Sequence, residues 1–427
     1  MLKRYLGNKQ SILPYIAAAI AECATHTDLV CDAFSGTLAI TLALKTAGYR
    51  VASNDINYFS HVYGQAYLIP AAIPKVDAER IIGKQCCQRY REVCITIATA
   101  LKGNPGYYFL EKEEAFEAYT QILILARFLE KSGNPGIPSK YRGSHIFDSY
   151  SPAGKNSAFV SLRGTTGNRA FFSPVNAEQI DRALCFLRYW WREGMIELHA
   201  HSLLLAMLMD GIEKVSNTQG TYHDFPRGVV DQRSLRPLIL AAPAMDGVLV
   251  PKKKHILGCE EDSLEFVKRL PPGCVLYLDP PYNFRQYSTY YFMPNMICKY
   301  HLIEDLPSYF NAIEYVRGQN MKDCFDSPFC RRDAFIPALE QLIVSARARM
   351  VILSYFDGRN HWNDHSNTSG TLGLRTLEDF FRSSLFVKDS FRYKPVHRMN
   401  YQSYGGHKAK SINELIITAE LKNFEKE

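Results

Sequence analysis

Asp279-Pro280-Pro281-Tyr282 carries the most specific chemistry in this chain, because it follows Cys274-Val275-Leu276-Tyr277-Leu278, an apolar run suited to a buried strand. The aspartate supplies an acceptor where a strand runs out into a cleft. Two prolines hold the backbone extended and remove two N–H donors, which leaves a carbonyl free to face a substrate. Tyr282 adds a flat stacking surface. A planar ring with an exocyclic amino group fits all of these, since its two N–H bonds need acceptors while its face rests on an aromatic side chain. Adenine turned out of its stack is such a ring. Four residues can also be no more than a strand ending in a proline turn, so the rest of the chain has to decide.

Three further segments would position such a site. Leu29-Val30-Cys31-Asp32-Ala33-Phe34-Ser35-Gly36-Thr37, followed by a helical pattern from Leu38 to Ala47, reads as strand, tight turn and helix, with Thr37 expected as the N-cap. Gly36 is the only glycine of that turn and no lysine stands in a Walker position, so the turn suits a nucleoside lacking phosphates. Arg50-Val51-Ala52-Ser53-Asn54-Asp55 reads as a short strand ending in an acid 23 residues beyond Asp32. In nucleotide-binding α/β sheets an acid at about that distance takes ribose hydroxyls. At the start, Lys3 to Lys9 precedes an apolar helical stretch from Ile12 to Ala21. A secretory signal has a similar outline, but Pro14 and the polar Asn8-Lys9-Gln10-Ser11 speak against it. Lys9 beside Tyr5 suits the carboxylate of an amino-acid-like cofactor.

Tyr5-Leu6-Gly7-Asn8-Lys9, Asp32-Ala33-Phe34-Ser35-Gly36-Thr37, Asp55 and Asp279-Pro280-Pro281-Tyr282, in this order, resemble the Dam-like class of S-adenosylmethionine-dependent DNA adenine-N6 methyltransferases. Asn283 to Tyr287, Arg169 to Phe172 before Asn176 to Asp181, and Ser216 to Tyr222 resemble a subgroup that accompanies restriction enzymes. Leu38 stands where that class commonly has a second glycine. The resemblance implies a Rossmann-like seven-stranded sheet, S-adenosylmethionine as cofactor, double-stranded DNA as substrate and a cognate restriction endonuclease as companion. It further implies that Asp279 and the Pro280 carbonyl accept the two N–H bonds of a flipped adenine and that Pro281 shapes the turn while Tyr282 stacks. Lys9 and Asp32, near Tyr5, would hold the amino-acid end of the cofactor, Asp55 its ribose and Asp262 its adenine, with Phe34 and Gly36 as wall. Cytosine-N4 methylation would bring serine in place of Asp279, and protein or RNA methylation asparagine. A non-catalytic DNA-binding protein on a methyltransferase shell is the reading from another class.

Composition agrees with this. The 427 residues can bury a large core in two domains, and the net charge of +7 favours an acidic partner. No apolar run of about 18 residues exists, so a spanning helix is not expected. The eleven cysteines form no metal or disulfide framework, which points to reduced thiols in a cytoplasm and to no metal. The chain is expected to work as a monomer.

Strand and helix alternate up to Asp55 and again from His255. The expected strands lie at His255–Cys259, Cys274–Leu278, Met350–Tyr355, Leu385–Arg392 and Leu415–Leu421, with helices at Ala334–Ala346 and Thr376–Arg382. That alternation means a parallel sheet covered on both faces, and the last two strands, joined without a helix, imply an antiparallel hairpin at one edge. Residues 1–59 and 251–427 are thus expected to form the catalytic domain, and 60–250 a large, mainly helical inserted target-recognition domain. Within the insertion, Tyr141–Pro174 is rich in Gly, Ser and aromatics and reads as too polar for a core and too aromatic for a plain linker, which fits equally a solvated irregular segment or DNA contact through Arg142, Lys155, Arg163 and Arg169. The loop from Lys394 to Lys410, with Arg398, Lys408 and Lys410 among tyrosines and a glycine pair, is a second candidate. His199 and His201 lack partners at ligand spacing and read as core histidines.

Overall fold

The computed structural model describes residues 2, 5–131, 136–218, 221–250, 253–364, 369–399 and 411–422. Its strands are β1 (Leu29–Asp32), β2 (Arg50–Ser53), β3 (Ala158–Val160), β4 (Thr166–Asn168), β5 (Ile256–Leu257), β6 (Val275–Leu278), β7 (Met350–Phe356), β8 (Arg392–Met399) and β9 (Ser411–Glu420). The chain divides into two compact units, one of residues 7–61, 253–288 and 325–427, the other of residues 1–6, 62–252 and 289–324.

The first unit holds a mixed, mostly parallel sheet. Among the described residues it has seven strands in the order β5-β2-β1-β6-β7-β9-β8. β5, β2, β1, β6 and β7 pair in parallel, while β9 runs antiparallel to both β7 and β8. The central strands β1 and β6 are buried along their whole length, as a sheet covered on both faces requires. On one face, Leu29, Cys31, Leu276 and Leu278 join Leu339, Leu342 and Ile343 of the helix Arg332–Ala346 and Leu377 and Phe381 of the helix Thr371–Phe381 in one core.

The sixth expected strand lies in the wrong place. Phe386 and Phe391 are buried in the core, but Asp389 turns the backbone at φ +62°, and the strand begins only at Arg392. β8 is an edge strand with Val396 as its one fully buried residue, so charge outweighs hydrophobicity in its sequence. Pro395 fits only because an edge strand can spare a donor.

The second unit is mainly helical. Lys84–Leu101, Glu113–Glu130, Pro174–Arg192 and Leu198–Val215 are its long helices, the third started by Ser173, whose hydroxyl accepts from the Asn176 amide ahead of Pro174 at the first turn. Residues 77–101 carry one continuous helical pattern in the sequence, which would be expected to form a single helix, but it is broken at Gly83, whose φ of +81° ends one helix and opens the next. Tyr141–Pro174 is not a polar excursion, because Tyr150, Phe159, Phe171 and Phe172 are all buried. His201 is a core residue, its ring 4.2 Å from His301 and 5.0 Å from Trp191, and burial holds it well below the usual histidine range.

Candidate active site

Three acids close or follow three neighbouring strands. Asp32 ends β1, Asp55 lies just past β2 and Asp279 just past β6, and Asp32 sits in register with Ser53 on one side and Tyr277 on the other. From β1 the chain first builds outward through β2 and β5, then returns to place β6 on the opposite flank. Strand order therefore reverses between β1 and β6, where α/β sheets leave a crevice beyond the carboxyl ends.

The loop after β1 is fixed by short-range bonds. The Ser35 amide and hydroxyl donate to the Asn54 carbonyl, and the Gly36 amide donates to Asp55 Oδ2 at 2.8 Å. Thr37 does not cap the following helix, Ala39–Thr46. Leu38 occupies that position at φ +62° with no side-chain cap, because the backbone here turns left-handed and the Leu38 amide closes back on the Ser35 carbonyl. Glycine tolerates such a conformation best, which gives the resemblance's second glycine its physical meaning.

Asp32 is buried. Its Oδ2 accepts from Thr41 Oγ1 at 2.7 Å, while Oδ1 has no hydrogen-bond partner among the described residues. Burial pushes its carboxyl up to about 7, the Thr41 hydroxyl opposing and the Asp279 and Asp55 carboxylates adding to the rise. A buried acceptor left unmatched beside two more acids suits a cationic donor. Asp55 is engaged differently. Besides Gly36, it accepts from the Asn57 amide at 2.9 Å and the Asn57 side chain at 2.8 Å, so it clamps the loop and keeps about one of its four lone-pair sites. Burial raises it too, against those donors. Asp262 caps the short helix Ser263–Phe266 through the Leu264 amide, and the Phe34 ring meets Phe329 edge-on at 5.1 Å.

Around Asp279 the structure assembles charges that the sequence did not reveal. Lys9 Nζ is 2.9 Å from Asp279 Oδ1 and also bonds Glu414 Oε1, whose side chain is 0 % exposed against 16 % for Asp279. Ser354 Oγ donates to the same Glu414 oxygen at 2.9 Å, and Arg398 Nη1 donates to Oε2 at 3.0 Å. Lys9 is thus committed to two protein carboxylates. Arg398 likewise points inward to Glu414, not outward to phosphates, because a carboxylate buried on β9 needs cations beside it. Tyr282 packs into the core, its ring 5.0 Å from Phe356 and 6.5 Å from Tyr355. Among the described residues no backbone N–H donates to the Pro280 carbonyl.

Several other expected residues belong to the helical unit. Tyr5 belongs to the helical unit, where it stacks on Tyr291 at 4.5 Å. Arg169 is 3 % exposed, and its guanidinium donates to the carbonyls of Asn156, Tyr315 and Val316, so it braces its own unit and has no reach to phosphates. Arg142 and Lys155 are exposed, the first bonded to the Ile137 carbonyl and the second paired with Asp148 at 3.2 Å; Arg163 is exposed in the turn between β3 and β4. Lys408 and Lys410 lie outside the described residues.

This chain belongs to the D12 class N6 adenine-specific DNA methyltransferases, whose family model matches residues 5–306. Such a family implies S-adenosylmethionine as methyl donor. Among its relatives, the chain is 25% identical over 355 residues to the type II methyltransferase M.NlaIII of Neisseria lactamica, covering 82% of each. It is 24% identical over 434 residues to the modification methylase StsI of Streptococcus sanguinis (99% of this chain, 52% of that protein), and 27% identical over 298 residues to the modification methylase LlaI of Lactococcus lactis subsp. lactis (70% and 38%). It therefore matches about half of the one and less of the other. No solved structure matches the chain. Among the described residues, no group of acids, histidines and cysteines is placed to hold a metal, and no helix is long and apolar enough to cross a membrane.

Proposed function

We propose that this protein is a site-specific DNA adenine-N6 methyltransferase of the restriction-modification type, acting on an adenine flipped out of double-stranded DNA. One observation carries the reading: Asp32 and Asp279 flank the point of strand reversal, one with a bare buried oxygen and the other just past β6, directly before Pro280 and Pro281. S-adenosylmethionine, when bound, supplies an electrophilic methyl on a sulfonium. Its ammonium and sulfonium outweigh its carboxylate, so its positive charge fits a rim of three acids, with Asp32 Oδ1 for the ammonium, Asp55 for a ribose hydroxyl and Asp262 for the adenine amino group. Phe34 and Gly36 form the wall.

The target amino group is a poor nucleophile while its lone pair is delocalised into the ring. Asp279 accepts one of its hydrogens and the Pro280 carbonyl the other, which favours a localised lone pair, while Pro281 fixes the turn and Tyr282 supplies a face for the base. These groups act by position and by electrostatics that need no reorganisation. Lys9 is reassigned from the cofactor's carboxylate to Asp279, on the strength of their 2.9 Å contact. Residues 60–250 are proposed as the part that recognises the target, with Arg142, Lys155 and Arg163 as phosphate contacts. A restriction endonuclease recognising the same site is the proposed companion.

Incubation with methyl-labelled S-adenosylmethionine and duplex DNA, followed by digestion to nucleosides, tests this. Label in N6-methyladenine is expected; label only in N4-methylcytosine, or none in DNA, would overturn it.

A further inference from the structure

Glu414 stands directly before the mostly apolar run Leu415–Ala419 of β9 and is fully buried, whereas Glu420 at the other end of that run is exposed. Well-packed apolar side chains stabilise such a position as well as an ion pair does, so a carboxylate kept there calls for a reason other than stability. Its bonds indicate one. Ser354 and Arg398 reach it from the strands on either side, and Lys9 joins it to Asp279. Two cations and two anions balance, but not evenly: Glu414 has both cations and a hydroxyl, whereas Asp279 has a share of Lys9 alone.

We infer that Glu414, backed by Arg398, is a positioning residue that draws the Lys9 ammonium partly off Asp279, so that the Asp279 carboxylate remains a strong acceptor for the target amino group. This rests on the adenine methyltransferase reading. Without Glu414, Lys9 and Asp279 would close into an exclusive buried pair and the acceptor would be spent on the ammonium. The protonation balance agrees. Burial disfavours the charge of Glu414, but Lys9 and Arg398 outweigh it and hold its carboxyl below the usual range. Burial pushes Asp279 up to about 6, with Lys9 opposing and Glu414 adding. Lys9 stays above the usual lysine range, because Asp279 and Glu414 overcome the effect of burial. Tyr277, Tyr282 and Asp32 are the other titratable groups facing Asp279.

Opposite charges should then act in opposite directions. Asp279 must be ionised to accept, so kcat/KM for DNA at saturating cofactor falls as pH drops through the Asp279 transition. In Glu414→Gln this acid limb should move down by about one pH unit while the plateau falls roughly tenfold; in Arg398→Gln it should move up by a similar amount. The Asp279 carboxyl resonance in 13C-labelled protein, identified by its loss in Asp279→Asn, should follow the same two shifts in the absence of substrate. Limbs and resonances that stay in place, or that move in the same direction in both variants, would overturn the inference. Should Glu414→Gln not fold, the upward shift in Arg398→Gln still decides. Wild-type protein that methylates no adenine would sink the parent reading, and the carboxyl titration would then judge this one alone.

Discussion

Asp32 and Asp279 are both raised carboxylates at the ends of adjacent strands, yet their surroundings give them separable tasks. Asp32 has one oxygen satisfied by Thr41 and one bare, buried oxygen, which suits a bound cation. Asp279 has one oxygen on Lys9 and some exposure, which suits a group arriving from solvent. Asp32→Asn should therefore weaken S-adenosylmethionine binding by about 10- to 100-fold, the range for a charged hydrogen bond, as read by calorimetry. Asp279→Ala should leave that affinity within about threefold and cut kcat by roughly a thousandfold or more, given what single preorganised groups contribute elsewhere. The reverse pattern would exchange the two roles. At this scale the acids were legible from their types and their places after apolar runs. Glu414 was not, because an isolated acid before Leu415 reads as the polar start of a strand until the fold shows Lys9 and Arg398 beside it. Arg169 failed for a related reason: composition counts a guanidinium as surface, whereas three carbonyls of its own unit satisfy it in the interior.

At the scale of elements, the loop between β1 and its helix sets left-handed strain against burial. Leu38 holds φ +62° and is 0 % exposed. Left-handed backbone costs a leucine about 1–2 kcal/mol, whereas removing a buried leucine side chain costs about 2–5 kcal/mol. Burial wins, so Leu38→Gly should lower the unfolding free energy by about 1–3 kcal/mol in a urea titration, even though it restores the conformationally favoured residue. A stabilised variant would mean that strain dominates. The same competition explains which elements could be foreseen. Buried parallel strands such as β1, β6 and β7 announce themselves by apolar runs. β8 does not, since its inward face contributes little beyond Val396 and the buried phenylalanines before it lie outside the strand, Phe386 in an isolated bridge to Leu421. Glycine broke the expected helix at position 83 for lack of any periodicity change to mark it.

For the molecule as a whole, two compact units are threaded by one chain that leaves the sheet-bearing unit after His61 and Ser288 and re-enters it at Lys253 and Phe325. Both bury cysteines extensively. Of the eleven, all free, Cys259 is exposed, Cys23 and Cys324 are half-buried and the other eight are enclosed. Burial moves several of these thiols up, including Cys274, Cys185 and Cys330, each to about 12, and so disfavours the reactive thiolate on top of blocking access. A thiol reagent applied to the native protein at pH 8 should accordingly titrate one cysteine rapidly and at most two more slowly, and in denaturant all eleven. Cys259→Ser should remove the rapid phase alone. Rapid labelling of four or more in the native state would mean that one unit opens on the timescale of the reaction, since no enclosed thiol of either unit can react without such opening.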